Sequence, residues 1–167
     1  MNSPFRLEAL SDAHNRTAFQ CGVEALDRYF REQATQDIRR RISNCFVGVE
    51  RATGEIAGFY TLATSGIPNT DLPSHVTKRL PRYHMIPAVQ VGRLAVDLRY
   101  RGRKPGSGLL ADAAVRSARA DPAAFTLLVD AKDEDAAAFY RKHGFTPLAS
   151  RPLTLFLPIA TALKLFS

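Results

Sequence analysis

A mixed α/β domain, a central sheet with helices on its faces, is the fold class this sequence predicts. Three observations point to it. Residues 89–119 read as strand, glycine-containing loop and helix; residues 125–143 repeat strand and helix; and the N-terminal third carries a helix followed by a hairpin. A strand-helix-strand crossover needs a parallel neighbour whereas a hairpin is antiparallel, so the sheet is expected to be mixed. A length of 167 residues suits one domain spanning 1–167.

The elements follow in order. Val23, Leu26, Phe30 and Ala34 recur at helical spacing with Asp27, Arg28, Arg31 and Glu32 between them, which predicts an amphipathic helix running out near Arg39-Arg40-Arg41. Residues 45–49 and 56–63 are β-rich runs about the turn residues Arg51-Ala52-Thr53-Gly54, hence a hairpin. The stretch 68–87 holds four of the ten prolines and reads as one long loop. Residues 89–96 then form a strand, 102–108 a loop and 109–119 a helix with Leu110, Ala113, Ala114 and Ser117 inward. A buried-type strand over 125–130, a helix over 133–143 capped by Gly144, and a last strand over 153–157 complete the pattern.

Composition narrows the function classes. With 46% hydrophobic and 23% charged residues the chain has an ordinary globular balance, which excludes intrinsic disorder. A net charge of +7 favours a polyanionic partner or ligand. Cys21 and Cys45 are too few for a disulfide scaffold, have no metal-ligand spacing, and lack a His or Asn placed to activate them, so small core residues are expected and no metal. The N-terminal residues hold no apolar run of signal-peptide length, and residues 153–166, the most apolar stretch, are broken by Pro158 and Lys164 and too short to span a bilayer. A cytoplasmic protein with no membrane partner is expected.

Chemistry concentrates in Arg101-Gly102-Arg103-Lys104-Pro105-Gly106-Ser107-Gly108, which follows a strand and opens a helix. Helix N-terminal amides with glycines beside them make an anion site suited to a pyrophosphate, and Arg101, Arg103 and Lys104 add full charges. The glycine spacing is not that of a dinucleotide fingerprint, and no Gly-Lys-Ser/Thr closes it as a P-loop would. A solvated basic turn is the bland alternative.

The run Val91-Gly92-Arg93-Leu94-Ala95-Val96-Asp97, then this loop, then Leu109-Leu110, resembles the acetyl-CoA signature of the GNAT acetyltransferases. Residues 136–145, with Phe139-Tyr140 and Gly144-Phe145, resemble the later motif of the same superfamily. More narrowly, Phe19-Gln20-Cys21-Gly22 with Leu26-Asp27, Gly58-Phe59-Tyr60-Thr61-Leu62, Leu80-Pro81, Ile86-Pro87 and Arg93-Leu94-Ala95-Val96 are similar to the GNAT toxins of bacterial toxin-antitoxin pairs. The resemblance covers nearly the whole chain. It implies the GNAT fold, with a central mixed twisted sheet flanked by helices. It implies acetyl-CoA as cosubstrate and transfer of acetyl to the α-amino group of aminoacyl-tRNA, which blocks translation. It also implies a ribbon-helix-helix antitoxin as partner, and it leaves a homodimer open.

Carried onto these residues, the resemblance gives Leu94, Ala95, Val96, Arg101, Gly102, Arg103, Lys104, Gly106, Ser107, Gly108, Asp133 and Phe139 to the cofactor. In the favoured register Arg101 takes the loop's first position and Gly106 its last, leaving Lys104 where a glycine is expected; the register Arg103, Gly106, Gly108 keeps the spacing but lies two residues closer to the leucines. Asp133 stands where many relatives have Asn. Tyr140 is the candidate general acid, since a phenol near pKa 10 is a poor base at neutral pH but can donate to a departing thiolate. The Val96 amide is the candidate donor to the carbonyl oxygen. No carboxylate is forced into the role of base, which agrees with a substrate α-amino group, already partly neutral at pH 7. Asp97 reads as a strand end, and His84 and His143 as surface or capping histidines.

For RNA, Arg39, Arg40 and Arg41, Lys78, Arg79 and Arg82, and Arg93 and Arg99 are basic clusters able to track phosphates. Tyr83 could stack on a base but is expected to pack on the proline-rich loop. Two other readings stay open: a GNAT enzyme of a protein amine or small-molecule amine, which for cationic polyamines the basic rim disfavours, and a CoA-binding module without turnover, against which Tyr140 and the loop argue.

Overall fold

A computed structural model describes residues 3–166. Seven strands are hydrogen-bonded in the order β1-β2-β3-β4-β5-β7-β6. They are β1 Phe5–Ala9, β2 Asn44–Glu50, β3 Ile56–Pro68, β4 Met85–Val96, β5 Thr126–Asp130, β6 Thr146–Pro147 and β7 Thr154–Pro158. The sheet is mixed, as expected: β4 and β5 run parallel, while β1/β2, β2/β3, β5/β7 and β6/β7 are antiparallel. The chain forms two compact units, one from residues up to Ala63 together with Gly92–Ala113, the other from Thr64–Val91 and Ala114 onward.

In the first unit β1 pairs with β2 (Phe5↔Glu50 to Ala9↔Phe46) and β2 with β3. The N-terminal helix is three pieces rather than one: α1 Glu24–Arg28, a π-helical turn Tyr29–Gln33, and α2 Ala34–Arg39. The amide of Ala34 donates to the carbonyl of Tyr29, five residues back, and this wider turn turns Tyr29, Phe30 and Ala34 all inward. Phe30 stacks on Phe59 at 4.3 Å and Phe19 meets both edge-on, at 4.9 and 5.5 Å, which anchors the helix to β2 and β3. Gly58 is dictated by close approach, because a Cβ there would lie 2.8 Å from the Ala95 carbonyl and 2.9 Å from Leu109 Cδ1.

In the second unit β5 is central, with Ala88↔Thr126 to Val91↔Val129 on one side and Thr126↔Pro158 to Asp130↔Thr154 on the other. Helix α5, Glu134–Lys142, is N-capped by Asp133, whose Oδ1 accepts from the Ala136 amide at 2.8 Å, and Gly144 at φ +96° turns the chain out of it.

Two sequence expectations are corrected here, and elements the sequence reading left unassigned are added. The long loop over 68–87 is shorter, since β3 reaches Pro68 and β4 begins at Met85; between them lie a 3₁₀ turn, Asn69–Asp71, and α3, Ser74–Thr77. The loop expected over 102–108 is half helical: a 3₁₀ helix covers Leu98–Arg103, and α4, Pro105–Arg119, starts four residues early with Pro105 at its first position. Strand β1 was not foreseen. The last strand is followed by α6, Ile159–Phe166, whose residues stayed unassigned in sequence. Among the described residues no helix is long and apolar enough to cross a membrane.

Candidate active site

The basic loop is braced from both ends. Asp97, buried at the end of β4, accepts from the Gln20 amide at 3.0 Å, the Arg99 amide at 2.9 Å and the Arg99 side chain. Burial alone would raise its carboxyl, but these hydrogen bonds and the Arg99 charge hold it below the usual range. The Leu98 amide returns to the Gln20 carbonyl at 2.9 Å, and the Arg101 guanidinium donates to the Cys21 carbonyl at 3.0 Å. Phe19-Gln20-Cys21-Gly22 is thereby the wall on which the loop leans, and buried Asp27 fixes that wall by accepting from the Cys21 amide at 2.9 Å.

Lys104 then takes φ 52° and ψ 54°, left-handed backbone that favours glycine, and redirects the chain into α4. The first turn of an α-helix leaves its amides without intrahelical acceptors. A Cβ at Gly102 or Gly108 would meet nothing within 4 Å, so the loop's face is open there.

The cations of this loop divide. Arg103 is ion-paired to Glu50 and lies over the Phe5 and Tyr100 rings at 5.1 and 5.5 Å, while Tyr100 donates to the same carboxylate at 2.9 Å. The Arg103 contact, then Thr53 and Tyr100, hold the Glu50 carboxyl below the usual range. Arg99 bridges Asp97 and Glu55 at 2.9 and 2.8 Å. Lys104 carries no ion pair among the described residues and is exposed.

Strand β4 presents a usable edge beside the loop. The Asp97 amide donates to the Ala57 carbonyl at 2.8 Å and the Arg93 amide to Thr61 Oγ1 at 3.1 Å, both toward β3. Backbone groups alternate along a strand, so those of Leu94 and Val96 face the opposite edge. Ala95 is buried among the aromatic residues of the first unit.

In the second unit Tyr140 is 7% exposed, with Phe139 and Phe145 edge-on to its ring at 5.4 and 5.5 Å. Burial pushes its phenol up to about 12. His143 caps α5 through Nδ1 and the Phe139 carbonyl at 2.8 Å, the capping role expected of it. Asp133 is spent on its cap, a task Asp and Asn perform alike. Cys21 and Cys45 are buried free thiols, and burial pushes Cys45 up to about 12, far from a thiolate nucleophile. Among the described residues no cluster of ligands could hold a metal ion.

The profile of the family described as "Acetyltransferase (GNAT) domain" matches residues 41–147. The chain belongs to the GNAT acetyltransferases. Among curated GNAT relatives, a "tRNA-acetylating toxin" of Mycobacterium tuberculosis is 35% identical over 150 residues, covering 89% of this chain and 88% of that protein. A "Probable toxin TacT" of Sinorhizobium fredii is 32% identical over 157 residues, covering 89% and 87%. Among solved structures, AtaT complexed with acetyl-methionyl-tRNAfMet superimposes with a TM-score of 0.86 at 31% identity, covering 98% of this chain and 99% of that one. A mutant AtaT toxin bound to the C-terminus of the antitoxin AtaR and acetyl-CoA gives 0.80 at 27% identity, covering 99% of each.

The basic residues read as RNA-binding fall into separate groups. Arg39, Arg40 and Arg41 are exposed at and beyond the end of α2, with Arg41 at φ 59°. Lys78, Arg79 and Arg82 are exposed between α3 and β4. Arg93, half-buried, lies 3.5 Å over the Tyr29 ring, and Tyr29 in turn donates to Asp37 at 2.8 Å, so Arg93, like the exposed but ion-paired Arg99, is engaged by the protein's own groups. Tyr83 corrects its expectation: it is 64% exposed rather than packed away on the proline-rich loop. The brace formed by Gln20, Cys21, Asp27 and Glu50 escaped sequence reasoning, because its partners lie dozens of residues away in the chain.

Proposed function

We propose that this GNAT enzyme transfers acetyl from acetyl-CoA to the α-amino group of aminoacyl-tRNA and so acts as a toxin of translation. The observation that carries the reading is the chain-long likeness to AtaT complexed with acetyl-methionyl-tRNAfMet. An acetylated α-amino group is an amide nitrogen and no longer a nucleophile, which is why such a product could not accept a growing peptide. Work on charged tRNA supports a cytoplasmic location. The likeness to AtaT bound to its antitoxin supports a cognate antitoxin as inhibitor, here of the ribbon-helix-helix class. A single GNAT domain over 1–167 is the organisation this reading assumes.

The first turn of α4, exposed at Ser107 and Gly108, with buried Gly106, with Gly102 in the turn before it and with the charge of Lys104, would receive the diphosphate of acetyl-CoA. The left-handed Lys104 is what the register pairing it with the usual glycine requires. Arg101 and Arg103 then act as supports for the loop, through Cys21 and Glu50. The outward backbone edge at Leu94 and Val96 suits the amide-bearing arm of CoA, with the Val96 amide at the carbonyl oxygen.

The amine nitrogen attacks the thioester carbon, the carbon–sulfur bond breaks, and the departing thiolate takes the Tyr140 proton while the amine's proton leaves to water, from which the Tyr140 phenolate is reprotonated. A phenol raised to about 12 is fully protonated at neutral pH, as a donor must be. The test is incubation with isotopically labelled acetyl-CoA and charged tRNA. Label is expected on the esterified amino acid, and its appearance instead on protein lysines or free amines would overturn the reading.

A further inference from the structure

We propose that the segment between α3 and β4, within the second unit, is a binding site for unpaired RNA, in which Tyr83 stacks on a base while Lys78 and Arg82 hold the backbone phosphates. The proposal rests on the tRNA reading and names which part of that substrate this face takes. Three observations carry it.

A cavity of about 470 Å³ opens here, floored by Leu80, Pro81 and Ile86 and rimmed by Lys78, Arg82 and His84. Its size falls in the range of small-ligand pockets. Apolar floor and cationic rim together match a nucleotide, whose base is flat and whose phosphate is anionic.

Tyr83 stands 64% exposed beside it, with Met85 54% exposed two residues on. A tyrosine left in water on a floppy loop would need no explanation, but this loop is pinned. The Tyr83 amide donates to the Pro81 carbonyl at 2.9 Å, the Asn69 amide to the His84 carbonyl at 2.9 Å, and the Leu80 amide to the Thr77 carbonyl at 3.0 Å, while Leu80 and Val76 pack on the core around Ile67, Leu72 and Ile86. The backbone that carries the ring is therefore held in place, and the residue stays 64% exposed.

The charge is uncompensated. Lys78, Arg79 and Arg82 make no ion pair among the described residues, and the nearest carboxylate in the chain, Asp71 before α3, is taken by Arg151 at 3.1 Å. Cations interleaved with an exposed aromatic ring are the combination by which single strands are held, because every base has a π-face and every linkage a phosphate. A duplex would use the cations and leave the ring idle, and so would an acidic peptide.

The test measures fluorescence anisotropy of a labelled unpaired RNA hexanucleotide and of a blunt RNA duplex with the full chain, at low salt. Tyr83→Ala should weaken hexanucleotide binding roughly 5- to 100-fold and leave duplex binding within about twofold. Tyr83→Phe should keep both, and all variants should bind acetyl-CoA alike. Hexanucleotide binding unchanged in Tyr83→Ala would overturn the proposal, as would equal losses on both RNAs, or a loss confined to inhibition by an acidic peptide. If Tyr83→Ala loses the hexanucleotide but the wild-type chain does not acetylate charged tRNA, the site stands and the substrate reading falls. If charged tRNA is acetylated and Tyr83→Ala is silent, the site alone falls.

Discussion

Replacing Tyr140 by Phe removes one oxygen and little else. The ring contacts with Phe139 and Phe145 survive, burial is what raises the phenol, and among the described residues it has no hydrogen bond to lose. Stability at pH 7 should therefore change by less than about 0.5 kcal/mol. Turnover should fall roughly 10² to 10³-fold, the usual contribution of a positioned proton donor, about 3 to 4 kcal/mol of barrier. The same burial makes two pH predictions. Because the folded phenol titrates near 12 and an unfolded one near 10, its contribution to stability is fully present below pH 10 and lost as the pH rises through 12, up to about 2.7 kcal/mol. Chemical denaturation across pH 9 to 12 should show a loss larger in the wild type than in Tyr140→Phe by up to that amount, since buried Cys45, also pushed up to about 12, titrates alike in both. Single-turnover acetylation should rise with amine deprotonation near pH 7 to 8 and then stay level to about pH 10. A decline below pH 9, or equal turnover in the variant, would refute the assignment of Tyr140 as the acid.

Lys104→Gly relieves left-handed backbone worth about 1 to 2 kcal/mol, less about 0.4 to 1 for the freer unfolded chain, so denaturant melts should show a gain of roughly 0.5 to 1 kcal/mol. Calorimetry should show acetyl-CoA affinity lowered by about 1 kcal/mol from the lost charge. Gly58→Ala forces a Cβ against the Ala95 carbonyl and Leu109, and thermal unfolding should register about 1 to 3 kcal/mol of destabilisation. Reversing Lys78, Arg79 and Arg82 to Glu should abolish acetylation of charged tRNA at low salt while calorimetry finds acetyl-CoA binding nearly intact, since phosphate contacts position the RNA and not the cofactor.

Where one physical signal dominates, the chain is readable. Alternating and buried-type runs located β2, β5 and β7, and the Asp133 cap and Gly144 bracketed α5 within a residue or two. Signals that compete are where reading fails. Residues 159–166 are apolar on nearly every face, with Leu163 and Leu165 exposed beside buried Ile159 and Ala162, so no period distinguishes helix from strand. In β3 the polar residues Thr64 and Ser65 imitate a strand end, yet the ladder continues to Pro68. The π-helical turn has no sequence mark, because Tyr29 and Phe30 side by side look like a phase error until Phe59 and Arg93 are seen packing on them.

The site was legible as a list of residue types and illegible as a division of labour. Eight basic residues were candidates for RNA and three for diphosphate, all by charge. What separates them is the location of carboxylates, carbonyls and rings distant in sequence: Glu50 takes Arg103, Asp97 and Glu55 take Arg99, the Cys21 carbonyl takes Arg101, and Tyr29 takes Arg93. An arginine so engaged forfeits little by lying near an anion, but it cannot follow one, and its role is to hold the loop whose backbone does the binding. Among the described residues, the candidates left without such partners, Lys104, the set Lys78, Arg79 and Arg82, and Arg39, Arg40 and Arg41, are those able to reorganise around phosphate. A charge count weighs both kinds alike, and for that reason the net +7 of the sequence overstates the positive charge available to RNA.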